Sequence, residues 1–190
     1  NVLIPAFAVG RSQELLYWFA RHWKEWGLER WRIFLDSPMA GKVVAIYDRH
    51  HELFDEQARE VWARKPSPFR LPNLHFTAST QESMAINQVG NGAIVIAGSG
   101  MANGGRILHH LRHRLGRRET HVVFVGFQAA GTLGRRLVER APWVRIHGQD
   151  YRVQAQIHTV GGLSAHTDQR GLIEWYGHFN GRPRLALVHG

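Results

Sequence analysis

Ala93-Ile94-Val95-Ile96-Ala97 runs straight into Gly98-Ser99-Gly100-Met101-Ala102-Asn103-Gly104-Gly105, and Gly105 to Leu115 then carries helical spacing. An uninterrupted apolar run rich in β-branched residues is the pattern of a strand buried on both faces, as in parallel sheets. The same alternation spreads outward in both directions. Upstream, Val2 to Pro5 reads as a strand and Gly10 to Trp26 as a helix. Trp31 to Leu35 is the next strand, and Met39 to Trp62 is one long helix or two broken ones. After the Pro-rich stretch Arg64 to Pro72 come a short strand at Leu74 to Phe76 and a helix opened by Ser79, with Glu82 completing a capping box. Downstream, Val122 to Val125 is a strand, Leu133 to Glu139 a helix, and Val144 to Ile146 the last strand of the series. Repeated strand–helix units predict an α/β fold, a Rossmann-like parallel sheet with helices on both faces.

The texture changes after Gly148. Arg152 to His158 alternates polar and apolar residues like a strand exposed on one face. A short helix around Gln169 to His178 follows, and Leu185 to Val188 reads as a buried strand ending at His189-Gly190. The expected division is therefore residues 1–148 and 149–190. A chain that stops on a buried strand is expected to be a piece of something longer.

Composition narrows the partners. With 24 Lys and Arg against 15 Asp and Glu, the formal charge is +9, which favours polyanions such as RNA or DNA. There are no cysteines, so any metal must be held by His, Asp or Glu, which suits zinc or manganese. No apolar run approaches the ~20 residues of a membrane span and no export leader is visible, so the expected location is cytoplasmic.

The Gly98–Gly105 loop between strand and helix is where backbone amides can cradle phosphate. Tight turns of a parallel sheet are the other reading of its glycines. A dinucleotide fold would need G-x-G-x-x-G here and an acidic residue after the next strand, but the third glycine falls one place late and Val125-Gly126-Phe127-Gln128 carries no acid. Gly126 to Gly131 has the spacing of a nucleotide phosphate loop, yet Thr132 stands where lysine is required. His109, His110 and His113 have helical ligand spacing but lie among Arg106, Arg112 and Arg114, and are read as part of a solvated basic face.

Two histidines stand apart, each in a small-residue turn at the edge of an element: Leu163-Ser164-Ala165-His166-Thr167-Asp168 and Leu187-Val188-His189-Gly190. Together with Ile4 to Leu15, Asp36-Ser37-Pro38-Met39-Ala40, Ser99-Gly100-Met101, Gly104-Gly105-Arg106, Gly126-Phe127-Gln128-Ala129 and Gly131-Thr132-Leu133-Gly134-Arg135, they form an ordered set of motifs. In this set the chain resembles the β-CASP family of metallo-β-lactamase-fold nucleases, over essentially its whole length and most like the bacterial exonuclease-type members.

The resemblance implies a β-CASP domain over 1–148 and, over 149–190, a short truncated piece of the metallo-β-lactamase αββα core. It implies that His166 contacts the scissile phosphate and assists as proton donor, and that His189 is a ligand of one of two zinc ions. Ser99, Gly100, Met101, Gly104, Gly105, Arg106, Gly131, Thr132, Arg135 and Ser164 are then the RNA- or phosphate-binding residues. The partner would be RNA, in single-stranded form, and a homodimer of the intact protein is an open expectation. The family's H-x-H-x-D-H cluster is absent from these 190 residues. Nuclease activity is therefore expected of the intact parent protein and not of this piece alone. The alternative is a catalytically silent RNA-binding scaffold.

Overall fold

The computed structural model describes residues 1–63, 67–163, 167–181 and 183–187. Its elements in chain order are β1 (Val2–Pro5), α1 (Arg11–Arg21), β2 (Arg32–Asp36), α2 (Pro38–Arg49), α3 (Glu56–Ala63), β3 (Leu74–Phe76), α4 (Thr80–Ala85), β4 (Ala93–Ala97), α5 (Arg106–Arg114), β5 (His121–Phe124), α6 (Leu133–Val138), β6 (Trp143–Ile146), β7 (Gln149–Arg152), β8 (Gln156–Thr159) and α7 (Gln169–Gly177). Six strands form one sheet in the order β3-β2-β4-β1-β5-β8, and every pairing in it is parallel.

The hydrophobic pattern explains the layering. All five residues of β4 are buried, and alternate ones serve opposite faces. Ala93, Val95 and Ala97 join Leu3, Val122 and Phe124 beneath Ile107, Leu111 and Leu115 of the α5 side and Leu137 of α6. Ile94 and Ile96 join Ile4, Ile33 and Leu35 beneath Leu15, Leu16 and Phe19 of α1 and Val44 of α2. The chain moves toward β3 through α1, α2 and α3 and returns through α4, α5 and α6. Right-handed crossovers in the two directions place those helices on opposite faces.

Local chemistry fixes the helix starts. Ser37 accepts from the Ala40 amide ahead of Pro38 at the first helical position. The capping box at Ser79 is formed in full, with Glu82 reaching back to the Ser79 amide. The Met39–Trp62 stretch resolves into α2 and α3, separated by a 3-10 turn at His51–Leu53. α1 stops at Arg21, short of the expected Trp26, because the chain turns out of the helix and Gly27 takes the left-handed conformation.

Three expectations are corrected. Trp143–Ile146 is not a strand of the main sheet; it pairs antiparallel with β7. The hairpin turns on His147 and Gly148, both at positive φ, the two-residue geometry that suits strand twist. The alternating stretch 152–158 is not one strand either, since the Gln154 and Ala155 amides both bond to the Leu115 carbonyl before β8 joins the edge of the sheet beside β5. Residues Leu185 to Leu187 form no strand and are exposed; a short apolar run becomes a strand only beside a pairing edge, and the described residues bring none to it. Val188 lies outside the described residues.

Candidate functional site

Because the sheet is parallel, the loops after β1, β2, β4 and β5 gather at one end of it. There the segments after β1, β2 and β4 enclose a cleft of about 640 Å³ whose walls include Phe7, Val9, Met39, Ser99 and Arg106. The two glycine loops do not follow adjacent strands, as β1 lies between β4 and β5. They nevertheless lock together across its end. Buried Gln128 donates to the carbonyls of Gly100, Gly126 and Phe127 at 3.0–3.1 Å. The Gly134 amide donates to the Met101 carbonyl and the Leu133 amide to Asn103 Oδ1, both at 3.0 Å.

Two glycines have no substitute in this lock. A Cβ on Gly105, at φ +74°, would sit 2.4 Å from the Gly98 carbonyl oxygen. One on Gly134 would meet Gln128 Oε1 at 1.8 Å and the Met101 carbonyl at 2.9 Å. Within the first loop, Ser99 Oγ accepts from the Asn103 amide, and the Ser99 amide bonds to the Gly104 carbonyl, so Ser99 pins the turn from both ends. Thr132 is the N-cap of α6, accepting from the Arg135 amide and donating to the Ala129 carbonyl. The first amides of α6 are thus already bonded within the protein.

Beneath the cleft lies a polar centre that sequence reasoning missed. Asp36, at the end of β2, is 0% exposed and receives the hydroxyls of Thr77 and Ser83, the Arg106 guanidinium at 2.7 Å and His110 Nε2 at 2.6 Å. Burial by itself raises a carboxyl's pKa. Here the hydrogen bonds from His110, Ser83, Thr77 and Arg106 outweigh it and hold Asp36 well below the usual carboxylate range. The network ties the ends of β2 and β3 and the starts of α4 and α5 to one ionised side chain. His110 is therefore buried and hydrogen-bonded to Asp36, not part of a solvated face; its helix turns it inward with Ile107 and Leu111, while His109 and His113 stay exposed. Arg114 is buried as well, capping the Ile86 and Val89 carbonyls.

Of the expected binding residues, the structure brings Ser99, Gly105 and Arg106 to the cleft. Gly100 and Met101 serve the interlock through their carbonyls, and Gly131 lies just before the Thr132 cap. The Arg106 guanidinium is committed to Asp36 and to the carbonyls of Thr77 and Ala78, and it anchors the loop's exit into α5. Arg135 is half-buried and pairs with Glu139 at 2.6 Å. Ser164, His166 and His189 lie outside the described residues. Among the described residues no three His, Asp or Glu side chains converge, so these residues by themselves do not fit a zinc ion.

The cleft also has an apolar rim. Phe7 is 51% and Met39 63% exposed on its walls, and Phe127, 75% exposed, stands on the loop after β5 beside it. Phe7 and Phe127 sit in loops just past strand ends and Met39 in the first turn of α2, and that position is the signal that could have singled them out, since a large apolar side chain there has no core to enter.

Comparison with known proteins agrees with this architecture. Residues 12–137 match the Beta-Casp domain, and residues 150–190 match a Zn-dependent metallo-hydrolase RNA specificity domain. The whole chain is 44% identical to ribonuclease TTHA0252 of Thermus thermophilus, of which it spans 43%. It is 34% identical to the transcription termination factor FttA of Thermococcus kodakarensis and 29% identical to that of Methanocaldococcus jannaschii, spanning 30% and 31% of them. The chain thus covers less than half the length of these relatives. With the β-CASP match extending over most of its residues and the parallel sheet in place, the chain belongs to the β-CASP family of metallo-β-lactamase-fold nucleases.

Proposed function

We propose that this chain is the RNA-handling portion of a zinc-dependent ribonuclease, and that the cleft at the strand ends guides a single-stranded RNA. The observation that carries this reading is the cleft's composition. A loop scaffold locked by Gln128 and the Asp36 network displays Phe7 and Met39 in the cleft and Phe127 on the loop beside it, on a protein of formal charge +9. Exposed aromatic side chains that stack bases, set in a positive field that attracts the backbone, are the common means of holding a single strand without reading its sequence. The relatives named as a ribonuclease and as termination factors support an RNA substrate.

In this reading His166 touches the scissile phosphate and His189 is a zinc ligand, completed by residues outside these 190. Ser99 and Ser164 add hydroxyl donors to the phosphate backbone. Arg106 acts mainly by holding its loop, and Arg135 contributes charge. Residues 1–148 act as the cap and 149–190 as the return toward the metal-bearing core, with β8 stapled to the cap's sheet. The reaction takes place in the cytoplasm, and these 190 residues alone neither hold two zinc ions nor cleave RNA.

The test is fluorescence anisotropy with a labelled single-stranded RNA at several salt concentrations. Affinity should fall steeply as salt rises, with a log–log slope of about −0.7 per phosphate neutralised. Binding that ignores salt, or no binding at low salt, would overturn the reading.

A further inference from the structure

A second concavity, of about 680 Å³, opens between the β4–α5 loop, α5, α6 and the β6–β7 hairpin. Four side chains that the proposed RNA cleft does not use line it: His109, Arg136, Arg145 and His147. No Asp or Glu is among its lining residues. The arrangement is held in place. His147 occupies the positive-φ corner of the hairpin, and its ring stacks on that of His109, with centroids 5.4 Å apart and planes 27° apart. Arg136 donates to the Trp143 carbonyl at 3.1 Å, which ties α6 to the hairpin and leaves other N–H groups of its guanidinium for a ligand.

Arg145 is the most telling member. It stands opposite Asp150 in the hairpin register, yet among the described residues its guanidinium has no hydrogen bond or ion pair. Like charges gathered on the walls of one concavity with no acidic lining residue repel one another. Burial, then the neighbouring His147 and Arg112, hold the His109 imidazole below its ordinary pKa. A bound anion would relieve that repulsion, and guanidinium groups beside imidazoles suit tetrahedral phosphate oxygens.

We propose that this concavity binds a phosphoryl group, with Arg145 and Arg136 as its cationic ligands and His109 and His147 as hydrogen-bond donors. The phosphoryl group is either a small free anion or one unit of a nucleic-acid backbone running behind the glycine loop. Gly105 and Arg106 line both concavities, but the Arg106 guanidinium is committed to Asp36, and none of the four ligands named here lines the RNA cleft, so variants of those four test this site separately.

The experiment is isothermal titration of the full-length protein with pyrophosphate, in a buffer containing a metal chelator. The variants are Arg145→Gln and His147→Asn, the latter because asparagine tolerates the left-handed backbone. The unmodified protein should bind one pyrophosphate per chain, and each variant should weaken it by about tenfold or more, the loss of one charge-assisted hydrogen bond. A single-stranded RNA oligomer is then added as competitor. Displacement of pyrophosphate, with weaker oligomer binding in Arg145→Gln, assigns the site to the strand; undisturbed pyrophosphate assigns it to a small anion, and both outcomes support a phosphoryl site. Absence of pyrophosphate binding, or equal affinity in both variants and the unmodified protein, would overturn it. Loss of RNA binding with pyrophosphate binding intact would count against the RNA cleft and leave this site standing.

Discussion

Replacing Asp36 by alanine removes a carboxylate that four donors converge on, and it leaves the Arg106 and His110 side chains facing each other without their anion. The cost can be bounded from the geometry. Asp36 and His110 are both 0% exposed, so water cannot replace the lost acceptor without opening the core, and removing the buried partner of the Asp36–Arg106 ion pair costs about 3–5 kcal/mol. For a folded unit of this size each kcal/mol corresponds to ~2–4 °C, so the midpoint of thermal unfolding should fall by roughly 6–20 °C. Asp36→Asn keeps the shape and one acceptor and should lose less. A pH signature separates this account from simple misfit. The folded pKa of Asp36 is depressed, so its contribution is complete above the unfolded carboxylate value of about 3.9 and is lost as pH falls below it toward the folded value. The stability gap between the unmodified protein and Asp36→Asn should therefore shrink as pH is lowered from about 5 to about 3. The assay is urea unfolding followed by tryptophan fluorescence at each pH. A loss under about 1 kcal/mol for Asp36→Ala, or a gap that does not change with pH, would refute the reasoning.

Two further substitutions probe the cleft and the loop beside it. Gly105→Ala combines a positive φ with a Cβ driven against the Gly98 carbonyl, so it should cost roughly 1–3 kcal/mol of stability and weaken RNA binding with it, as read by urea unfolding and anisotropy on the same sample. Phe127→Ala should do the opposite, leaving stability within about 0.5 kcal/mol because the ring is 75% exposed, while weakening RNA by about 1–3 kcal/mol for one lost stacking partner.

What could be seen in advance depended on how far apart the cooperating residues are. The run Ala93–Ala97 declares a doubly buried strand from its own composition, and the Ser79–Glu82 capping box is a local signal that the structure forms in full. The Asp36–His110 pair joins residues 74 positions apart, and nothing near either one hints at the other. His110 sits among arginines in the chain, and only the helix phase turns it inward while His109 faces out. The hairpin was recoverable: Trp143-Val144-Arg145-Ile146 alternates exposed and buried residues, unlike a doubly buried strand, and His147-Gly148 is a two-residue turn. The glycine loops yielded their position but not their chemistry. Whether Thr132 binds a ligand or caps α6 depends on the contact with Met101 and Asn103, made across the end of β1.

The central claim, that this chain handles RNA inside a metal-dependent nuclease, meets its most direct test in the full-length protein. There, cleavage of a labelled single-stranded RNA is to be followed beside zinc content by mass spectrometry for the unmodified protein, His166→Ala and His189→Ala. The account predicts that the unmodified protein cleaves, that His166→Ala keeps its zinc while turnover falls by ~10²-fold or more, and that His189→Ala loses zinc and activity together. An unmodified protein that leaves the RNA intact, or variants that cleave as it does with unchanged zinc, would contradict it.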